Sequence, residues 1–131
     1  MLERIEILES NIYQLKQIKK TKNQDDIEKN RLDEWALRYG LFESIQIIID
    51  ISCHLNSKYN LGGVKSYKEC IEKLAEFDYI DDALCKHLVQ MVGLRNILIH
   101  EYVKIDKVKL FSFLEFIDDM TQFIEKISDC V

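Results

Sequence analysis

The chain has 131 residues, enough for one domain with a real core. Hydrophobic residues make up 47% and charged residues 31%, an ordinary globular balance. A net charge of −5 disfavours a protein that coats long stretches of nucleic acid, which is usually basic; a small local phosphate site stays open, because short-range contacts outweigh total charge, and an acidic body also suits a basic protein partner.

The absence of proline and the presence of only four glycines favour long helices. The opening MLERIEILES is charged throughout and lacks the apolar core of a signal peptide, and no apolar run is long enough to span a bilayer. The expectation is a cytoplasmic protein with no membrane contact. Apolar residues at Leu2, Ile5, Leu8, Ile12, Leu15 and Ile18 recur every three or four positions, which predicts an amphipathic helix over residues 2–20. The polar KKTKNQDD stretch ends it, with Asp25 or Asp26 as the cap of the next helix.

Residues 27–58 read as one long helix. Leu32, Trp35, Tyr39 and Phe42 form a stripe in its first half, and Gly40 weakens it without breaking it. Residues 45–55 are apolar nearly all round, which places them in the core with one face left for a second chain. The β-branched run at 47–51 would suit a buried strand, but nothing else in the sequence offers it a strand partner. Asp50 sits within this run. It is costly there unless paired, either with His54 one turn on or as an orienting group for Arg95 or His100.

Leu61, Gly62 and Gly63 mark a loop. Ser66 to Glu69 is a capping-box pattern that starts a helix ending near Glu76, and residues 77–80 connect it to the next. Asp81 or Asp82 caps a helix whose apolar stripe is Leu84, Leu88, Met91, Val92, Leu94 and Leu98. Asp106 caps a last helix running through Val108, Phe111, Leu114, Ile117, Phe123 and Ile127. The four cysteines, Cys53, Cys70, Cys85 and Cys130, lack metal or redox spacing and read as reduced thiols. His54, His87 and His100 have no ligand spacing either, so no metal and no cofactor is expected. Residues 1–131 form a single all-α domain, an up-and-down bundle of about five helices.

The densest chemistry lies at residues 91–102, MVGLRNILIHEY. Arg95 presents a planar cationic fork that matches phosphate oxygens. His100 carries the side chain best suited to moving protons near neutrality. Together they suit metal-free RNA cleavage: the imidazole handles the 2′-hydroxyl or leaving-group proton, and the guanidinium holds the phosphate. Asn96 supports the site. A single Arg and a single His on an amphipathic helix are more often plain surface residues. Arg95 and His100 are five apart and do not align on a regular helix. They converge only where the helix loosens at its end, or where a second chain supplies one of them. Lys104, Lys107 and Lys109 follow and either widen a positive patch or form a solvated helix start.

The spacing Arg95-x4-His100-x-Tyr102, with Gly-Leu before it and Asn96 directly after the arginine, resembles the HepT-like family of HEPN domains, and the likeness spans most of the chain. The resemblance implies a HEPN-like helical homodimer whose two motif helices face one cleft. It implies a ribonuclease toxin, with Arg95 and His100 catalytic and Asn96 supporting; Asp50 is a supporting candidate from its place in the apolar run, which the resemblance does not settle. It also implies a nucleotidyltransferase antitoxin of the MntA type as partner, which AMPylates Tyr102. Added adenylyl phosphate beside Arg95 would block the substrate phosphate. A non-catalytic nucleotide- or RNA-binding module that pairs with such a transferase is the alternative.

Overall fold

The apolar run of residues 45–55 lies at the centre of the molecule, and everything else is arranged around it. A computed structural model of the chain describes residues 1–100 and 104–131. The elements are α1 (Leu2–Thr21), α2 (Gln24–Lys29), α3 (Arg31–Lys58), α4 (Tyr67–Glu76), α5 (Asp82–Leu98), α6 (Lys107–Ser112), a 3-10 turn (Phe113–Phe116) and α7 (Ile117–Ile127). No strand occurs among the described residues. Helices α1, α4 and α5 pack against α3; α7 lies against α1 and α5; α6 lies against α2.

Ile45, Ile48, Ile49, Ile51 and Leu55 are all buried to within 1% of complete exclusion from solvent, so α3 is a core helix from residue 45 onward. Truncating such a residue to alanine costs about 2–5 kcal/mol. The two serines buried with them bond back one turn. The Ser44 hydroxyl donates to the Gly40 carbonyl at 2.7 Å and the Ser52 hydroxyl to the Ile48 carbonyl at 2.8 Å, so neither leaves an orphan donor in the core. Gly40 does not interrupt α3. A Cβ there would meet Leu15 Cδ2 at 3.1 Å, so its role is the close approach of α1.

The expected helix over residues 27–58 is broken once, at Asn30, whose extended backbone separates α2 from α3. The Asn30 side chain accepts from the amides of Leu32 at 2.9 Å and Asp33 at 3.3 Å, competing locally with helix continuation. The cap of α2 is Asn23 rather than either expected aspartate, and Asp26 returns the bond as the other half of a capping box. The expected last helix is likewise interrupted by the 3-10 turn. There the i,i+3 geometry brings Phe113 and Phe116 to a ring separation of 5.3 Å, and His87 lies 5.2 Å from Phe116 on the other side. Five helical rods therefore stand as read, two of them segmented.

Cys53 and Cys70 form a disulfide, against the expectation of four reduced thiols. The packing of α4 on α3 brings their Cα atoms to 5.1 Å, a juxtaposition that a separation of 17 residues does not disclose. The Asn56 amide, buried on α3, adds a second tie by donating to the Cys70 carbonyl at 2.8 Å. Cysteine usage therefore carries no argument about compartment. No helix among the described residues is long and apolar enough to cross a membrane.

Candidate functional site

Arg95 and Asn96 stand in the last turn of α5, and the chain leaves the helix just before His100. The helix is placed by its apolar stripe: Leu84, Leu88, Met91, Val92, Leu94 and Leu98 are all buried. That fixes the rotation of α5 about its axis and sends Arg95 sideways, toward α3 and the start of α4. A cation in a last turn is favoured by the unpaired carbonyls there.

Four side chains surround the guanidinium. Its Nε donates to the Gln46 side-chain carbonyl on α3 at 2.9 Å, and one terminal nitrogen donates to the Asn96 carbonyl at 3.1 Å. Its face lies 5.1 Å from the Tyr67 ring centroid on α4 and 6.0 Å from that of Phe42 on α3. Gln46 in turn donates its amide to Asp50 at 2.9 Å, and Asp50 is ion-paired with Arg4 of α1. The order of this relay follows from chemistry. An ionised carboxylate only accepts, so the Gln46 amide NH2 faces Asp50 and its carbonyl is left to face Arg95.

The electrostatic result is specific. Among the described residues no carboxylate pairs with Arg95. Asp50 is reached only through a neutral amide and is compensated by Arg4. A guanidinium offers five N–H donors in a rigid fork, and those not spent on Gln46 and Asn96 remain for an anion. Arg95 is thus a charged, oriented donor set that no described carboxylate compensates, in a chain of net charge −5.

His100 is exposed and follows the αR residue Ile99 that closes the helix, its amide donating to the Ile97 carbonyl at 3.2 Å. The helix ends between Arg95 and His100, at Leu98 with Ile99 as its cap. Asp50 is not paired with His54: its partners are Arg4 and Gln46, and the His54 Nε2 atom is buried without a hydrogen-bond partner. Tyr102 lies outside the described residues. Lys107 belongs elsewhere, paired with Glu34 at 3.2 Å.

Gln46, Tyr67 and Arg4 were not singled out from the sequence, and Phe42 was read only as part of the stripe on the long helix. Gln46 and Asp50 do share a helical spacing of four, and a glutamine beside an isoleucine run is a partly buried polar group in need of a partner. That signal was readable, although its partner was not.

The fold is that of the HEPN toxins. The chain aligns with a crystal structure of a toxin–antitoxin complex with AMP-PNP at a TM-score of 0.88, 23% identity, covering 98% of this chain and 96% of that one. It aligns with a tri-AMPylated Shewanella oneidensis HEPN toxin in complex with its MNT antitoxin at a TM-score of 0.87 and 24% identity, covering 98% and 96%. A family model for ribonuclease HepT-like proteins matches residues 8–127, and the chain belongs to that family. It is 33% identical over 103 residues to a candidate RNase of Archaeoglobus fulgidus, covering 77% of this chain and 76% of that protein. It is also 34% identical over 80 residues to the mRNA nuclease HepT of Shewanella oneidensis, covering 60% of each.

Proposed function

We propose that this protein is a ribonuclease toxin that cleaves RNA without a metal, through Arg95 and His100. The observation that carries this reading is the uncompensated Arg95 guanidinium, fixed by two neutral amides and an aromatic face immediately before the helix end that leads to His100. Arg95 binds a phosphate of the substrate and stabilises the charge that builds on it in the transition state. His100 transfers the proton to or from the ribose oxygen. Asn96 and Gln46 set the guanidinium plane, and Asp50 acts at one remove by fixing Gln46. Two copies of the chain bring their motif helices to one cleft, so that each RNA-binding surface is built from both. The protein works in the cytoplasm, where its RNA substrates are.

Its control follows from the same charge. Proteins of this fold are found in complex with a nucleotidyltransferase-type antitoxin, in one case carrying AMPylated residues on the toxin. In this chain Tyr102 is the residue of the family motif that receives AMP from such a partner. An adenylyl phosphate near Arg95 supplies the anion that the site otherwise takes from RNA.

Incubation of the purified chain with RNA in the presence of a chelator tests this. Cleavage is expected from the native protein and not from a folded His100→Ala variant, and equal cleavage by both would overturn the assignment. Incubation with the partner transferase and ATP is expected to add adenylyl mass that Tyr102→Phe does not accept. The acidic net charge favours a second reading, a module that binds RNA or nucleotide without cutting. Arg95-dependent binding with no products would select it.

A further inference from the structure

A cleft of about 570 Å³ opens beside Arg95, between α3, α5 and the start of α4. Its size falls within the range of small-ligand sites. Its floor is apolar, made by Val92 of α5 and the Cys53–Cys70 disulfide. Asn96 forms one wall, and Tyr67, Lys65 and Lys68 stand at the mouth. Tyr67 is 44% exposed even though its ring also meets the Arg95 guanidinium, so the ring belongs to both the cation and the cleft.

Each polar group here has capacity left over. The Asn96 carbonyl is taken by Arg95, which leaves its amide NH2 as the group presented to the cleft. Neither Lys65 nor Lys68 has an ion pair with a described residue, although five other lysines of the chain do. The Ser66 hydroxyl is already used as the cap of α4, and Glu69 accepts from the Lys65 amide, so the helix start itself is closed. What remains is an apolar-floored cleft with an aromatic edge, one donor and two solvated cations, joined to Arg95 through Asn96 and Tyr67, which line the cleft and touch the guanidinium.

We propose that this cleft receives the base of the unpaired nucleotide next to the RNA linkage held by Arg95, with Lys65 and Lys68 on the neighbouring phosphate. The proposal rests on the ribonuclease reading and adds the position of the flanking nucleotide. A planar base has apolar faces for the Val92 and disulfide floor and for the Tyr67 ring, as in single-strand RNA recognition generally. Its rim carries carbonyl or ring-nitrogen acceptors for the Asn96 amide. A base held in a duplex cannot enter, so single-stranded segments are the substrate class.

The test measures binding by a folded His100→Ala full-length chain, which keeps every cleft residue. The probes are a labelled oligouridine and an abasic sugar–phosphate strand of equal length. Oligouridine is expected to bind about tenfold tighter, the scale of one stacked base. Tyr67→Ala is expected to erase that difference and Tyr67→Phe to keep it. Lys65→Ala combined with Lys68→Ala is expected to weaken both probes and lower the salt dependence by roughly one to two counterions. Equal binding of the two probes, or a difference that survives Tyr67→Ala, would overturn the cleft assignment. Cleavage by the native chain is followed in parallel. Base-dependent, Tyr67-dependent binding with no cleavage removes only the ribonuclease reading; cleavage with base-independent binding removes only the cleft.

Discussion

Two clefts adjoin the C-terminal half of α5, and they treat positive charge in opposite ways. The larger, about 920 Å³, lies against Leu98 and Ile99 and is lined by Trp35, Arg38, Tyr39 and Lys107. It holds more cations and more exposed aromatic surface than the cleft beside Arg95, with Trp35 64% exposed. Three of its four cations, however, are paired with carboxylates: Lys29 meets Asp25 at 2.8 Å, and Arg31 alone has no ion pair with a described residue. Glu34 pairs with Arg38 at 3.4 Å and with Lys107 at 3.2 Å. The Tyr39 hydroxyl donates to Glu43 at 2.7 Å, and that bond together with the Glu43 charge pushes its pKa up. Arg95 is held instead by two amides and a ring. A phosphate approaching Arg38 or Lys107 competes with a carboxylate; one approaching Arg95 meets no paired carboxylate among the described residues. Counting cations favours the larger cleft, and counting those without a carboxylate partner among the described residues favours the one beside Arg95.

The difference can be broken or sharpened by substitution. The largest effect is expected at Arg95. Arg95→Ala removes the proposed transition-state donor and is expected to slow RNA cleavage by about 10²–10³-fold, whereas Arg38→Ala, which leaves that donor in place, is expected to keep the rate within about twofold. Comparable losses in the two variants would erase the distinction between the clefts. A smaller effect is expected from Glu34→Gln, which frees Arg38 and Lys107 together. Binding of single-stranded RNA at low salt is expected to tighten a few-fold through about two added phosphate contacts, with the cleavage rate unchanged. Measured affinity that stays at the native value across the salt range would show that Glu34 does not hold those cations in check.

The sequence disclosed what depends on periodicity and little of what depends on register between helices. All six residues of the α5 stripe are buried, and Ser66, Asp81 and Asp106 cap the helices assigned to them. These features are local: a repeat of three or four, or a side chain bonding an amide a few residues on. Asn30 is also local, but its effect was masked by good helix formers on both sides. The Leu32, Trp35 and Tyr39 stripe was visible as a repeat, yet it faces outward while Leu37 and Leu41 face the core. Periodicity finds a face without saying which way it turns. The contacts that define the site join α1, α3, α4 and α5 across long stretches of sequence, as in the Arg4–Asp50 pair and the Gln46–Arg95 bond. Arg95, Asn96 and Asp50 were legible as residue types in a motif or an apolar run. Gln46 and Tyr67 became legible only once the helices were docked.

The claim on which the account turns is that Arg95 works because no carboxylate neutralises it. Gln46→Glu places a carboxylate where a neutral carbonyl now stands 2.9 Å from the guanidinium Nε, and it also removes the amide donor to Asp50, a loss that Gln46→Met shares. The rate of RNA cleavage by the folded Gln46→Glu protein is therefore the most direct measurement. The account predicts a rate at least ~10-fold below that of the native chain, with part of the loss recovered in Gln46→Met. Cleavage by Gln46→Glu at the native rate would contradict it.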